Sequence, residues 1–216
     1  MTTTLVGEDA DIAKNFDIPT GMLHEETGYR KLSVGAGAKD REEGFTTIDI
    51  AGDPDVKHDI TIVPWPFPDE YFRGVKAHHI LEHLPPQTLH IDWEARTHHL
   101  TFTFTDVMNE IWRILEPDGR CWIELPVWPT EDAISDPQHI SFFTSARFDY
   151  LVKGGNFEEQ RLLYGIKPWA LQRREKLNYG RILYVLLRKV AEDAPAARCG
   201  KCDETITFCV HLKEGA

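Results

Sequence analysis

The sequence lacks any unbroken apolar run of about 18 residues, the length that a membrane-spanning helix needs. Its first residues, MTTTLVGEDADIAKNFD, lack the basic-then-apolar pattern of a secretory leader. Cysteine is scarce: four in 216 residues at uneven spacing, which is no disulfide framework. These absences make the cytoplasm the expected compartment and exclude a membrane partner. Basic charge is also short, with 24 Lys and Arg against 35 Asp and Glu, a net charge of −11. A chain of that sign is repelled by polyanions at long range, so nucleic acid is not an expected partner. The sequence also has no internal repeat and no low-complexity tract.

Apolar residues make up 42% of the chain, enough to build one core of ordinary size. Residues 1–27 show little periodicity and read as an arm or lid, leaving 28–216 as a single domain. Lys31–Gly35 is a short apolar run ending in glycine, as a buried parallel strand reads. Further strands are expected at Phe45–Ile50, Asp59–Val63, Gly74–His79, Arg120–Leu125, Phe157–Tyr164 and Glu204–Lys213. Helical patterns run over Leu81–Leu84, Phe104–Leu115, Thr144–Val152 and Glu175–Val190. Pro117-Asp118-Gly119 stops the second of these. Three prolines exclude Pro64–Asp69 from helix and from central strand. Strands alternating with helices give a Rossmann-like α/β fold: a mostly parallel seven-stranded sheet, helices on both faces, the last strand antiparallel.

In such sheets ligands sit beyond the C-terminal ends of the strands. Gly35 and Gly37 fall at the end of the first strand, where glycine permits unusual backbone angles and close approach of a ligand. Asp49 ends the second strand, where a carboxylate can accept hydrogen bonds from ribose hydroxyls. A tight turn beside a surface aspartate explains the same residues without a ligand.

The run KLSVGAGAKDREEGFTTIDI resembles the first two motifs of class I S-adenosylmethionine-dependent methyltransferases, in the type 11-like branch. HDITIVPWPFPDEYFRGVKAHHILEHL resembles that family's third and fourth strands with the Pro-rich loop between them. DVMNEIWRILEPDGRCWIELP and DPQHISFFTSARFDYL resemble the segments that follow. The chain departs from the family at Ser33, where an acid is frequent, at Lys39 in place of a third glycine, and at Phe72-Arg73. The resemblance implies methyl transfer from S-adenosyl-L-methionine to a small-molecule or saccharide-type acceptor. It places Gly35 and Gly37 at the methionine part, Asp49 at the ribose, Asp59 with Ile60 at the adenine and His79 beside the reacting centre, with Ile50 also among the cofactor-binding residues. A non-catalytic binding or partner protein is the alternative, and a nicotinamide-dependent oxidoreductase a more distant one.

An oxygen acceptor needs a base, and histidine titrates in the right range. His79 at a strand end and His139 in a loop are the two catalytic candidates. Leu151–Val190 carries nine Lys or Arg and three acids, a local charge of +6. Lining the same opening, it would favour an anionic or polyhydroxylated acceptor; the bland reading is a solvated helix face. His79-x3-His83 could pair two imidazoles for a metal, but no Glu follows His79 directly and no metal ligand is assigned there. Cys199 and Cys202 read first as free thiols in a turn; with Cys209 and His211 they could instead form a zinc knuckle, and a redox dithiol is the further alternative. The insertion 85–103 stands outside the family pattern, and the Cys-containing loop 191–203 precedes the last strand.

Overall fold

The computed structural model of the chain describes residues 30–37, 42–92, 94 and 96–195. The N-terminal arm, the Cys199–Cys202 motif and the strand expected at Glu204–Lys213 lie outside the described residues. The elements in chain order are β1 (Lys31–Val34), β2 (Phe45–Asp49), β3 (Val56–Lys57), β4 (Phe72–His78), β5 (Thr88–Asp92) and β6 (Thr97–Thr101). Then come α1 (Thr103–Ile114), β7 (Leu115–Pro126), α2 (Glu131–Ile134), α3 (Glu158–Leu163), β8 (Trp169–Leu177) and β9 (Ile182–Lys189). Short 3₁₀ turns occupy Leu81–His83, Ser145–Leu151 and Asn178–Gly180.

Seven strands form one sheet in the order β3-β2-β1-β4-β7-β9-β8. The first five are mutually parallel, and β9 runs antiparallel to both of its neighbours. Side-chain alternation sends Leu32, Val34, Ile48, Val75, Ala77, Ile123, Val185 and Leu187 to one face, where they pack with Val107, Met108, Ile111 and Ile114 of α1. The other face carries Lys31, Ser33, Lys76 and Glu124, with a small cluster of Phe45, Trp122 and Tyr184. Among the described residues, no helix is long and apolar enough to cross a membrane.

Several elements differ from the sequence-based expectation. Asp59–Val63 is a turn, not a strand: Asp59 Oδ1 accepts from the amide of Thr61 at 2.9 Å and from its hydroxyl at 2.8 Å. That side-chain competition for backbone donors favours a turn over a ladder. The third strand is the two-residue Val56–Lys57 just before it. Phe157–Tyr164 contains helix α3 rather than a strand. Glu175–Val190 is the end of β8, the Asn178–Gly180 turn and β9, not a helix. The insertion is an antiparallel hairpin, Thr88 facing Thr101 and Asp92 facing Thr97. The Pro-rich loop is held from α1: Arg113 donates to the carbonyls of Trp65 and Phe67, while Glu110 accepts the Trp65 amide at 2.6 Å.

Candidate active site

β1 and β2 end side by side and deliver the glycines and the aspartate to one edge. Gly35 and Gly37 both have positive φ, +70° and +55°. Asp49 Oδ2 accepts from the Gly37 amide at 2.8 Å, and its Oδ1 from the Ala51 amide at 2.8 Å. Two backbone donors fix the carboxylate, and each oxygen keeps a further lone pair. Among the described residues, a Cβ on Gly37 would meet nothing within 4 Å. Gly35 is different: a Cβ there would stand 2.3 Å from Ile80 Cγ1, so the first glycine answers to packing.

Ile50, next along from Asp49, is exposed, as is Ile62 in the turn after β3. Ile60 is buried in the core, and its carbonyl accepts from Trp65 Nε1 at 3.0 Å. Only the backbone of Ile60 is left to meet a ligand. Asp59 stands on the same turn, with Oδ1 committed to Thr61.

β4 ends in two histidines with opposite fates. Burial, with Lys76 and His79 close by, pushes the His78 imidazole down to about 3, so it is neutral. His79 leaves the strand with φ +49°. Its Nε2 lies 3.4 Å from Glu124 Oε1 and its Nδ1 3.1 Å from Glu82 Oε1. The bond to Glu124, then that to Glu82, raises its pKa to about 10. An imidazole with both nitrogens turned to carboxylates has no free lone pair, which removes the geometric ground for the base expected at His79. The sequence reading missed Glu82 and Glu124; only the three-residue spacing from His79 to Glu82 signals the first of them.

His139 does not join His79. It is nearly buried, its Nδ1 is 3.3 Å from the Ala133 carbonyl, and its ring meets His83 edge-on with centroids 4.8 Å apart. The expected basic wall is neutralised. Seven of the nine basic side chains of Leu151–Val190 face acids, among them Arg174 on Asp149, Lys167 on Glu192, Arg181 on Asp132 and Lys189 on Glu70. Five of those acids, Glu70, Asp118, Asp132, Asp149 and Glu192, lie outside the segment, so no count within it could reveal the pairing. A cavity of about 530 Å³, bordered by Trp112, Trp169 and Lys189, lies at the opposite end of the sheet from the glycines.

No protein-family model and no curated protein matches the chain. Solved structures do. A protein from Galdieria sulphuraria assigned as a sarcosine dimethylglycine methyltransferase superposes with a TM-score of 0.50 at 13% identity, over 84% of this chain and 83% of that one. An S-adenosylmethionine-dependent methyltransferase from Archaeoglobus fulgidus gives 0.49 at 16% identity, over 85% and 100%. The Burkholderia thailandensis 1,6-didemethyltoxoflavin-N1-methyltransferase, solved with its acceptor and S-adenosylhomocysteine, gives 0.46 at 15% identity, over 88% and 94%. At such identities the likeness is one of fold. The fold is the class I methyltransferase fold, a Rossmann-like sheet whose penultimate position is held by one antiparallel strand.

Proposed function

We propose that this chain is an S-adenosylmethionine-dependent methyltransferase acting on a small-molecule acceptor. The observation that carries this reading is the Asp49–Gly37 pairing at the C-terminal edge of β1 and β2, with no described residue within 4 Å of a Cβ built on Gly37. When bound, the cofactor supplies a methyl group on a sulfonium, already activated for displacement. The chain's own part is to position the partners and exclude water. The backbone at Gly35 and Gly37 would hold the methionine part and the Asp49 carboxylate the ribose diol. Ile50, Asp59 and the Ile60 backbone would flank the adenine. A saccharide-type acceptor remains the class implied by resemblance.

The antiparallel β9 between β7 and β8 speaks against a nicotinamide-dependent oxidoreductase, whose sheet keeps the all-parallel order 3-2-1-4-5-6. A non-catalytic S-adenosylmethionine-binding protein is favoured by one observation, the engagement of both His79 nitrogens by carboxylates. Calorimetry with S-adenosylhomocysteine and with NAD tests the cofactor: binding of the first and not the second is expected, with a rise in melting temperature. Transfer of labelled methyl to a panel of small acceptors separates enzyme from binding protein. No binding of S-adenosylhomocysteine at millimolar concentration overturns both readings.

A further inference from the structure

Glu82, beyond its contact with His79, also joins a second cluster. One carboxylate oxygen of Glu82 and one ring nitrogen each of His83 and His139 lie within 4.8 Å of one another. We propose that these three residues bind a divalent cation of the zinc class.

The cluster is built for a ligand. Glu82 is 1% exposed, its Oε1 is taken by His79, and its Oε2 is buried with no hydrogen-bond partner among the described residues. An unpaired buried carboxylate oxygen is costly, and a cation would satisfy it. The histidines point the same way. Nδ1 of His83 faces the Gln138 carbonyl at 3.2 Å, and Nδ1 of His139 the Ala133 carbonyl at 3.3 Å. A carbonyl only accepts, so each Nδ1 carries the proton and each Nε2 keeps its lone pair. Metal-binding histidines are oriented in this manner by outer-shell carbonyls.

The two segments that bear the ligands are tied together. Ile140 and Ser141 donate their amides to the Glu82 carbonyl at 2.9 and 3.0 Å, and Ser141 Oγ donates to the Leu84 carbonyl at 2.7 Å. Asp136 Oδ2, 3.9 Å from His139 Nε2, adds negative charge at the rim. Zinc bonds of about 2.0–2.1 Å in a tetrahedron set ligand atoms about 3.4 Å apart. Two imidazoles and one carboxylate suit zinc better than calcium or magnesium, which take oxygen sets. Three protein ligands leave a fourth position for water.

The site shares Glu82 with His79, but its test needs neither cofactor nor acceptor. The full chain carrying Cys199→Ser and Cys202→Ser, so that those thiols take no metal, is stripped with chelator and titrated with zinc in a calorimeter. One zinc per chain is expected, with a melting temperature that rises on loading. His83→Ala and His139→Ala should each weaken binding by at least the about 10- to 100-fold that loss of an outer-shell partner costs. Melting of each metal-free variant checks that it is folded. Cobalt absorption by the parent chain supplies a second readout, with visible bands of a nitrogen- and oxygen-ligated tetrahedral ion expected. No uptake, uptake unchanged in both folded variants, or cobalt bound without those bands overturns the proposal.

Discussion

Ile80 fills the space that a side chain at residue 35 would need. Its Cγ1, Cδ1 and Cβ all come within 2.7 Å of a Cβ built on Gly35, whose φ of +70° already disfavours an L side chain. Gly35→Ala should therefore destabilise the fold by about 1–3 kcal/mol from overpacking, with about 1–2 kcal/mol more from left-handed backbone. Urea unfolding measures it. In an Ile80→Ala background the overpacking part should fall away and the backbone part persist, a coupling of neighbours. Equal costs in both backgrounds would show that Ile80 is not the obstacle.

Asp49 separates loop support from ligand binding. Asp49→Ala removes the acceptor for the Gly37 and Ala51 amides and for the ribose. Charged hydrogen bonds of roughly 1.5–3 kcal/mol predict about a ten- to hundredfold loss of S-adenosylhomocysteine affinity. Asp49→Asn keeps one amide oxygen and should fall between wild type and Ala in calorimetry. An Asn variant that binds as weakly as Ala would mean that both carboxylate oxygens are needed; a folded Ala variant with full affinity would place the ribose elsewhere.

The parallel half of the fold was legible because its strands carry their own punctuation. β1 and β2 end in Gly35 and Asp49, and β4 ends at the paired histidines, so the edge that bears the candidate site could be read directly. The antiparallel half was not. β9, ILYVLLRK, is buried on nearly every residue because its side chains pack on both faces of the sheet, Val185 and Leu187 on one and Tyr184 on the other. Such a run shows no alternation and cannot be told from a buried helix by period. Asn178-Tyr179-Gly180 was the available turn signal, but the run before it, WALQRREKL, is rich in helix formers and hid β8. His79 illustrates the limit at the site: its position was readable, but its two carboxylate partners come from a neighbouring strand and the next turn.

Arg113 should anchor the Pro-rich loop. It donates to the Trp65 and Phe67 carbonyls and pairs with Glu110 at 2.5 Å, and that glutamate is 6% exposed. The glutamate and the surrounding bonds raise the Arg113 pKa above its ordinary value, so it stays charged. Arg113→Ala leaves a buried carboxylate unpaired. Breaking such a pair costs about 3–5 kcal/mol when fully buried, so roughly 2–4 kcal/mol is expected for an arginine about a quarter exposed. Glu110→Gln on top of Arg113→Ala should cost less than the sum of the two singles. Additive losses in chemical denaturation would argue against a shared network.

Glu158 gives α3 its dependence on pH. Its Oε2 accepts from Arg161 Nε at 2.8 Å and from the Gly154 amide at 2.9 Å, and its Oε1 from Arg161 Nη2 at 2.7 Å. The Arg161 hydrogen bonds lower its pKa from the ordinary 4.5, with the Gly154 amide and the arginine charge adding to them against the opposing effect of burial. A carboxyl depressed in the folded state contributes stability that is fully present above its unfolded pKa and lost as pH falls through the folded one. Wild type should thus exceed Glu158→Gln by roughly 1–3 kcal/mol at neutral pH, the range for a hydrogen-bonded charge. The gap should hold down to about pH 5, narrow below that ordinary value, and close once Glu158 is protonated in both states. Urea unfolding of both proteins at half-unit steps from pH 7 to pH 3.5 measures it. A gap that stays constant across that range would mean that the Arg161 pairing contributes shape and no charge.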